Sequence, residues 1–394
     1  MKKTKMFMLG IGLSMTVLGG SQVSAETINR QITFTENLPS YSSGVFESLN
    51  PEVISLTNNN RFVAHKYGQT FIDAVTDGKY SRSIAEVDDY GRSRDGEAFD
   101  ITDNSMVEGE FYHGHDQDDF TFTAQQTGTY VLFFTTRDKN LKNYNASLYS
   151  EDGETSESLS LIVPFEDDYT TNEGYIEVDL LAGMNYTLNL SSDLYSSGRY
   201  SFDISLKENS YYSASYYEMV LEIGQSTYIE EGNWTSENPD VISIDGNRAI
   251  AKKYGKTFVT ATTNGKYMRK IVSVDDYGRA RDGNEFEITD NSSIAGEFYY
   301  GHEMDDFSFT ATRTGAYTIS FESRDRNIKV CNIYVANIEG EILGDQLIWG
   351  YDNSSGYIEE KIEVELIEGQ KYFLNSSSDL YTSGKYLIEI TPNN

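Results

Sequence analysis

Phe120 and Phe122, then Tyr130, Leu132 and Phe134, then Tyr200, Phe202, Ile204 and Leu206 alternate with polar residues along this chain. A two-residue period puts the apolar side chains on one face of an extended segment and the polar ones on the other, so each series predicts a half-buried antiparallel strand. The runs TFIDAV and KYSRSIAEV flank Asp77-Gly78, and TFVTAT and KYMRKIVSV flank Asn264-Gly265. A two-residue hairpin turn needs positive φ at both central positions, which these dipeptides supply, so two hairpins are predicted. No long segment sustains a helical stripe. Thirty tyrosines and 20 phenylalanines against five prolines agree with strand rather than helix. The fold class expected is all-β, built of tandem β-sandwich domains.

One stretch has a different pattern. Lys2, Lys3 and Lys5 precede an apolar run from Met6 to about Gly20, and Val23-Ser24-Ala25 closes it in small-x-small form. This reads as a secretory signal peptide over 1–25, cut before Glu26. It is too short and wrongly flanked for a membrane span, and no later run is long enough for one. The mature chain is therefore expected to be secreted and extracellular, with no membrane insertion; loose association with the cell surface is the alternative.

The chain also repeats itself. VDDYGRSRDG at 87–96 returns as VDDYGRARDG at 274–283. Upstream, NPEVISL from Asn50 answers NPDVISI from Asn238; downstream, GEFYHGHDQDDFTF from Gly109 answers GEFYYGHEMDDFSF from Gly296. Near the ends, SSDLYSSGRY from Ser191 answers SSDLYTSGKY from Ser377. A unit of roughly 187 residues has been duplicated. Within each unit the ten-residue sentence separates a part with small strands from a longer, aromatic-rich part. Four domains are expected: 26–87, 88–209, 210–274 and 275–394, a small sandwich before a larger one, twice. With a complete set of hairpins in each, the halves 26–209 and 210–394 are expected to fold alone.

Charge narrows the partners. The formal net charge is −31, and loss of Lys2, Lys3 and Lys5 with the leader makes it −34. Such a surface repels nucleic acid and anionic lipid and suits a protein that meets cations. The single cysteine, Cys331, excludes an intrachain disulfide, and its counterpart in the other unit is Tyr144, which argues against a nucleophile. His113 and His115 form an H-G-H pair, but Tyr300 stands where the second unit would need the first histidine. The sequence His302-Glu303-Met304 lacks the second histidine of a zinc-protease helix. Neither a G-x-S-x-G elbow nor a glycine-rich phosphate loop is present. The protein is expected not to be an enzyme.

Two resemblances add to this. WTSENPDVISI followed by AKKYGKTFVTAT, over Trp234 to Thr262, resembles the bacterial immunoglobulin-like group 2 domain; the first unit has Phe46 at the tryptophan position and HKYGQTF at the turn. The larger parts resemble the bacterial pre-peptidase C-terminal domain in a DDYG lead-in, V/I-x-G-E-F, an acidic loop closing in D-D-F-x-F, T-G-x-Y, and a final G-x-Y-x-x-x-I strand, over about 88–208 and 275–392. Members of that family ride beside secreted enzymes, and some bind collagen or other matrix polymers; this chain has no room for a catalytic domain. In calcium-binding relatives the ligands come from the lead-in and the acidic loop, which is what the resemblance implies here.

From the residues themselves, the repeated lead-in has two readings. It is a turn-rich linker in which Arg92 and Arg94 neutralise its aspartates, each exposed pair contributing roughly 0–1 kcal/mol. Or Asp88 and Asp89 join Asp116 and Asp119 in the first unit, and Asp275 and Asp276 join Glu303 and Asp306 in the second, around calcium, which takes six to eight oxygens from flexible loops. Asp118 and Asp305 recur beside them. Tyr195 and Tyr381, flanked by small residues at the terminal turns, are candidate ligand contacts, since exposed aromatics hold flat polymers. Tyr200 and Tyr386 are expected to pack inward. The expected function is a non-catalytic binding or adhesion protein for an extracellular polymer, matrix protein or glycan, with calcium-stabilised junctions. The alternatives are a structural or wall-associated spacer and an accessory subunit that targets a secreted hydrolase.

Overall fold

A computed structural model describes residues 32–34, 44–58, 61–87, 98–111, 116–136, 138, 140–141, 143–162, 172–193, 196–209, 219–275, 277, 285–299, 302–325, 327–350, 357–379 and 382–393. Among these, regular structure is strand throughout apart from one 3-10 turn at Lys207–Asn209. The leader and Asp88, Asp89, Asp276, Tyr195 and Tyr381 lie outside the described residues.

Both hairpins form as their turn residues dictate. Gly68–Thr76 pairs with Lys79–Val87 from Gly68 opposite Val87 to Thr76 opposite Lys79, and Gly255–Thr263 pairs with Lys266–Val274 in the same register. Asp77 and Gly78 have φ of 51° and 79°, Asn264 and Gly265 52° and 76°, the left-handed values that this turn requires.

The larger parts are sandwiches of two mainly antiparallel sheets; among the described strands only the short Phe99–Asp100 and Phe286–Glu287 add in parallel within them. In the first, Phe99–Asp100, Gln117–Thr123, Asn185–Ser192, Asn143–Ser150 and Ser156–Ile162 form one sheet, and Ser105–Phe111, Gly198–Leu206, Gly128–Thr136 and Asn172–Leu180 belong to the other. The alternating residues Phe120, Phe122, Tyr130, Leu132, Phe134, Tyr200, Phe202 and Ile204 are buried between them. Each such side chain contributes about 1.5–3 kcal/mol by leaving water. The second unit repeats the arrangement, with its core built on Phe307, Phe309, Tyr317, Ile319, Phe321, Tyr386 and Ile388.

The repeated motifs are packing solutions. Gly109 faces Tyr200 across the strand pair and Gly296 faces Tyr386; a Cβ on either glycine would lie 2.3 Å from the tyrosine ring or its hydroxyl. That contact explains the coupling of G-E-F to G-x-Y. The tyrosine of T-G-x-Y is tied down as well, since Tyr130 and Tyr317 donate to the buried Asp103 and Asp290 at 2.6 and 2.7 Å.

The units do not sit side by side as independent halves. Lys79–Val87, from the first small domain, pairs in parallel with Ser292–Phe298 of the second large sandwich (Tyr80 opposite Ser292). Reciprocally, Lys266–Val274 pairs with Ser105–Phe111 of the first large sandwich (Tyr267 opposite Ser105). Each small domain thus extends a sheet of the other unit, giving two eight-stranded sheets with the units exchanged. The cores follow: Phe71 and Ile84 belong to the second large core, Phe258 and Ile271 to the first. Where the small domains cross, Tyr67 stacks on Phe258 and Phe71 on Tyr254, with centroids 4.0 and 3.8 Å apart. Gly68 and Gly255 permit that approach, because a Cβ on either would lie 2.5 Å from the carbonyl oxygen of Lys256 or Gln69. The expectation of two self-sufficient halves thus meets a molecule whose halves share sheets and cores; alternation along a strand does not say which strand lies beside it.

Candidate metal centre

Asp275 follows the Lys266–Val274 strand, and Glu303 and Asp305 flank the first residue of the Met304–Thr310 strand. Carboxylate oxygens of these three buried residues lie within 4.8 Å of one another. Two oxygens bound to one calcium at 2.3–2.6 Å can be at most about 4.6–5.2 Å apart, so the trio fits around a single ion. Its chemistry fits as well, since hard, anionic oxygens are what calcium selects.

The scaffold around the trio is fixed by backbone and side-chain hydrogen bonds. The Glu303 amide donates to Ser378 Oγ at 3.0 Å and the Ser378 amide to the Glu303 carbonyl at 2.9 Å. The Tyr299 amide donates to Glu303 Oε2 at 2.5 Å, and the Tyr386 hydroxyl to Asp305 Oδ2 at 2.5 Å. His302, at a φ of 64°, turns the chain into this position. Without an ion the arrangement is electrostatically costly. Burial pushes the Glu303 carboxyl well above its ordinary range, Asp305 and Asp275 push it further, and the Tyr299 amide opposes them only in part.

The first unit repeats the scaffold. Asp116 and Asp118 are wholly buried, the Asp116 amide donates to Ser192 Oγ at 3.0 Å, and the Tyr200 hydroxyl donates to Asp118 Oδ2 at 2.6 Å. The counterpart of Asp275 there is Asp88, outside the described residues. Of the residues expected from sequence, the structure brings Asp275 and Glu303 together, with Asp116 in the equivalent place. Asp119 and Asp306 are not in this group. They accept from the Asn189 and Asn375 amides at 2.6 and 2.7 Å on the opposite face of their strands. Adjacent strand residues point to opposite faces, so only one of D-D can face the tyrosine, and it is Asp118 or Asp305. The signal was in the sequence, because the inward phase of D-D-F-x-F runs through its phenylalanines.

A second surface was missed. Leu347 and Trp349, on the edge strand Ile342–Trp349, are 46% and 61% exposed, side by side on the outer face, while Ile348 between them is buried. Val330 lies opposite Trp349, and its amide donates to Thr382 Oγ1 at 2.8 Å, so this patch adjoins Thr382. Three consecutive apolar residues in a strand must leave one on the outer face, which is the sequence clue. In the first unit the place of Leu347 is taken by Ser160.

No protein-family model and no curated protein matches this chain. Similar solved structures include the pre-peptidase C-terminal domain of collagenase from Bacillus anthracis, at 14% identity over 28% of this chain and 95% of that one, with a TM-score of 0.22. The CUB1-EGF-CUB2 domains of rat MASP-1 align at 9% identity over 75% of this chain and 100% of that one (TM-score 0.19). The tandem CBM22 domains of Paenibacillus barcinonensis Xyn10C align at 8% over 90% and 94% (TM-score 0.17). The likeness at these scores is a weak one, to other β-sandwich modules.

Proposed function

We propose that this is a secreted, non-catalytic binding protein whose large sandwiches hold an extracellular polymer, a matrix protein or a glycan, with calcium locking the junctions between domains. The observation that carries the reading is the Asp275, Glu303 and Asp305 trio. It joins the end of a small-domain strand to the start of a large-domain strand, so an ion there fixes the angle between two binding modules. Asp116, Asp118 and Asp88 are the corresponding set in the first unit. Calcium supplies charge neutralisation and extra coordination; the chain supplies the fixed carboxylates and the tyrosine hydroxyl that orients one of them.

The polymer is held, in this reading, by the exposed side chains of Trp349 and Leu347, with Tyr381 and Tyr195 as the further candidates named from the sequence. The acidic surface keeps nucleic acid and anionic lipid away. Among the described residues no helix is long and apolar enough to cross a membrane. The test is a binding screen of the purified chain against matrix proteins and glycans, with calcium and with chelator. The reading requires at least one polymer to be retained more tightly in calcium. Equal, negligible retention of all of them in both conditions would refute it.

A further inference from the structure

Beneath the crossing of the two small domains lies a buried ionic network drawn from both units. Lys256 Nζ, wholly buried, stands 3.2 Å from Glu110, 3.4 Å from Glu297 and 3.6 Å from Glu86. Lys385 Nζ reaches Glu86 Oε2 at 2.6 Å, and Arg199 lies 3.9 Å from Glu110 and donates to Ser273 Oγ at 2.6 Å. Gln69 Nε2 donates to Glu86 at 3.2 Å and to Glu297 at 2.9 Å. Burial alone would lower the Lys256 ammonium, but Glu110, Glu297 and Glu86 hold it above its ordinary value. Burial alone would raise Glu297, but Lys256 and Lys385 bring it down to about 2. Three carboxylates, Glu86, Glu110 and Glu297, thus face three cationic side chains, Lys256, Lys385 and Arg199.

The repeats show that this balance depends on which unit meets which. Aligning GQTF with GKTF, AEV with VSV, GEF with GEF and SGRY with SGKY makes Gln69 the counterpart of Lys256, Glu86 of Ser273, Glu110 of Glu297 and Arg199 of Lys385. The crossing is close to two-fold symmetric, so either unit has the strand edges to pair with a copy of itself. Two first units would bring Gln69, Glu86, Glu110 and Arg199 in duplicate, four carboxylates against two guanidinium groups. Two second units would bring Lys256, Ser273, Glu297 and Lys385 in duplicate, four cations against two carboxylates. At these four pairs of positions only the mixed pair is balanced. Glu108, whose carboxylate accepts from the Ile271 amide at 2.7 Å, has Ala295 as its counterpart and adds negative charge to first-unit pairs above all. The acidic and basic residues of Asp88–Arg94 recur in Asp275–Arg281 and weigh on every pairing alike.

We propose that the differences between the repeats at these positions form a pairing code: the first unit recognises the second, and pairing of either unit with its own copy is opposed by buried net charge. Unbalanced charge in a water-excluded site must be neutralised or the site opened, which makes it an effective element against the wrong partner. The code closes the chain on itself, and any strand exchange between chains keeps first-to-second pairing.

The test starts from the intact chain carrying a protease site within 210–218, folded and then cut, with the two fragments distinguishable by mass. After denaturation and joint refolding, native mass spectrometry counts mixed and matched pairs. Mixed pairs are expected to exceed matched pairs by at least about tenfold, equivalent to ~1.4 kcal/mol. In the chain carrying both Glu86→Ser and Lys256→Gln, every pairing becomes balanced at these four positions, and sorting is expected to fall close to the statistical one to two to one, with only Glu108 still weighing against first-unit pairs. Gln69→Lys with Ser273→Glu balances every pairing by the opposite route and gives the same expectation if the first variant refolds poorly. Statistical sorting of the unmutated fragments would overturn the proposal, and so would unchanged strong sorting in a refolded balanced variant.

Discussion

Lys256 and Glu303 are both wholly buried, yet one sits in a network of mixed charge and the other in a group of carboxylates. Around Lys256 the chain supplies its own counter-charges, one residue at a time, from the three other domains. Around Glu303 three carboxylates converge from two strands, and the repeated scaffold holds them there. The difference separates two uses of buried charge: matched charges fix which surfaces meet, whereas like charges held together define a place for an ion from outside. Both uses trace to the G-E-F and D-D-F stretches, whose alternating residues face different neighbours.

The sharpest way to break this comparison is to remove the central cation. Lys256→Met leaves Glu86, Glu110 and Glu297 buried without their common partner and is expected to cost about 3–5 kcal/mol, measured by denaturant unfolding. A loss below about 1 kcal/mol would mean that the network is solvated and not a true counterpart to the carboxylate trio. Calcium should act on the other site alone. At a concentration about a hundredfold above the dissociation constant it is expected to add ~2.7 kcal/mol per site, seen as a rise in melting temperature reversed by chelator. Asp305→Asn is expected to remove the second unit's share, and Asp118→Asn the first unit's.

The two regions should also respond oppositely to pH when calcium is absent. Glu297, held down to about 2 by Lys256 and Lys385, contributes stability that is present above its ordinary value of 4.5 and is lost as pH falls towards 2. Glu303 is raised, so the folded state holds a proton that the unfolded chain releases, and stability falls as pH rises above 4.5. Each proton gives a slope of up to about 1.4 kcal/mol per pH unit. Stability in chelator is therefore expected to peak on the acid side, and calcium to flatten the loss towards neutral pH. A chelated protein whose stability rises steadily from pH 5 to pH 8 would contradict the assignment of Glu303.

Much of the architecture was legible in the sequence because its signals are local. Asp77-Gly78 and Asn264-Gly265 specify their turns, and the period-two series around Phe120, Tyr130 and Tyr200 specifies which faces are buried. The parallel junctions of Lys79–Val87 with Ser292–Phe298 and of Lys266–Val274 with Ser105–Phe111 were not legible, since nothing in a strand's alternation names its neighbour across a domain boundary. In the acidic loop the residue types were readable and their orientation was not: the sequence reading named the second aspartate of D-D-F, Asp119 or Asp306, whereas the strand phase selects the first. Trp349 was not singled out from the sequence, although the two-residue phase it shares with Leu347 puts both opposite the buried Ile348.

The smallest expected effect on stability belongs to the outer face. Trp349→Ala is expected to change unfolding free energy by no more than about 0.5 kcal/mol, as for an exposed site, while weakening retention of whichever polymer the screen identifies by about tenfold or more. Tyr195→Ala with Tyr381→Ala is expected to act in the same direction. Full retention in both variants would move the binding face away from this end of the sandwich.

The most direct test of an ion at the carboxylate trio is the melting temperature of the Glu303→Gln protein beside the unmutated one, each in calcium and in chelator. Without an ion Glu303 must take up a proton to stay buried beside Asp275 and Asp305, whereas glutamine is neutral there at no such cost; with an ion, glutamine coordinates more weakly than a carboxylate. The variant is therefore expected to melt higher than the unmutated protein in chelator and lower in calcium, with the order reversing between the two conditions. A variant that melts lower in both, with a spacing that calcium leaves unchanged, would contradict the account.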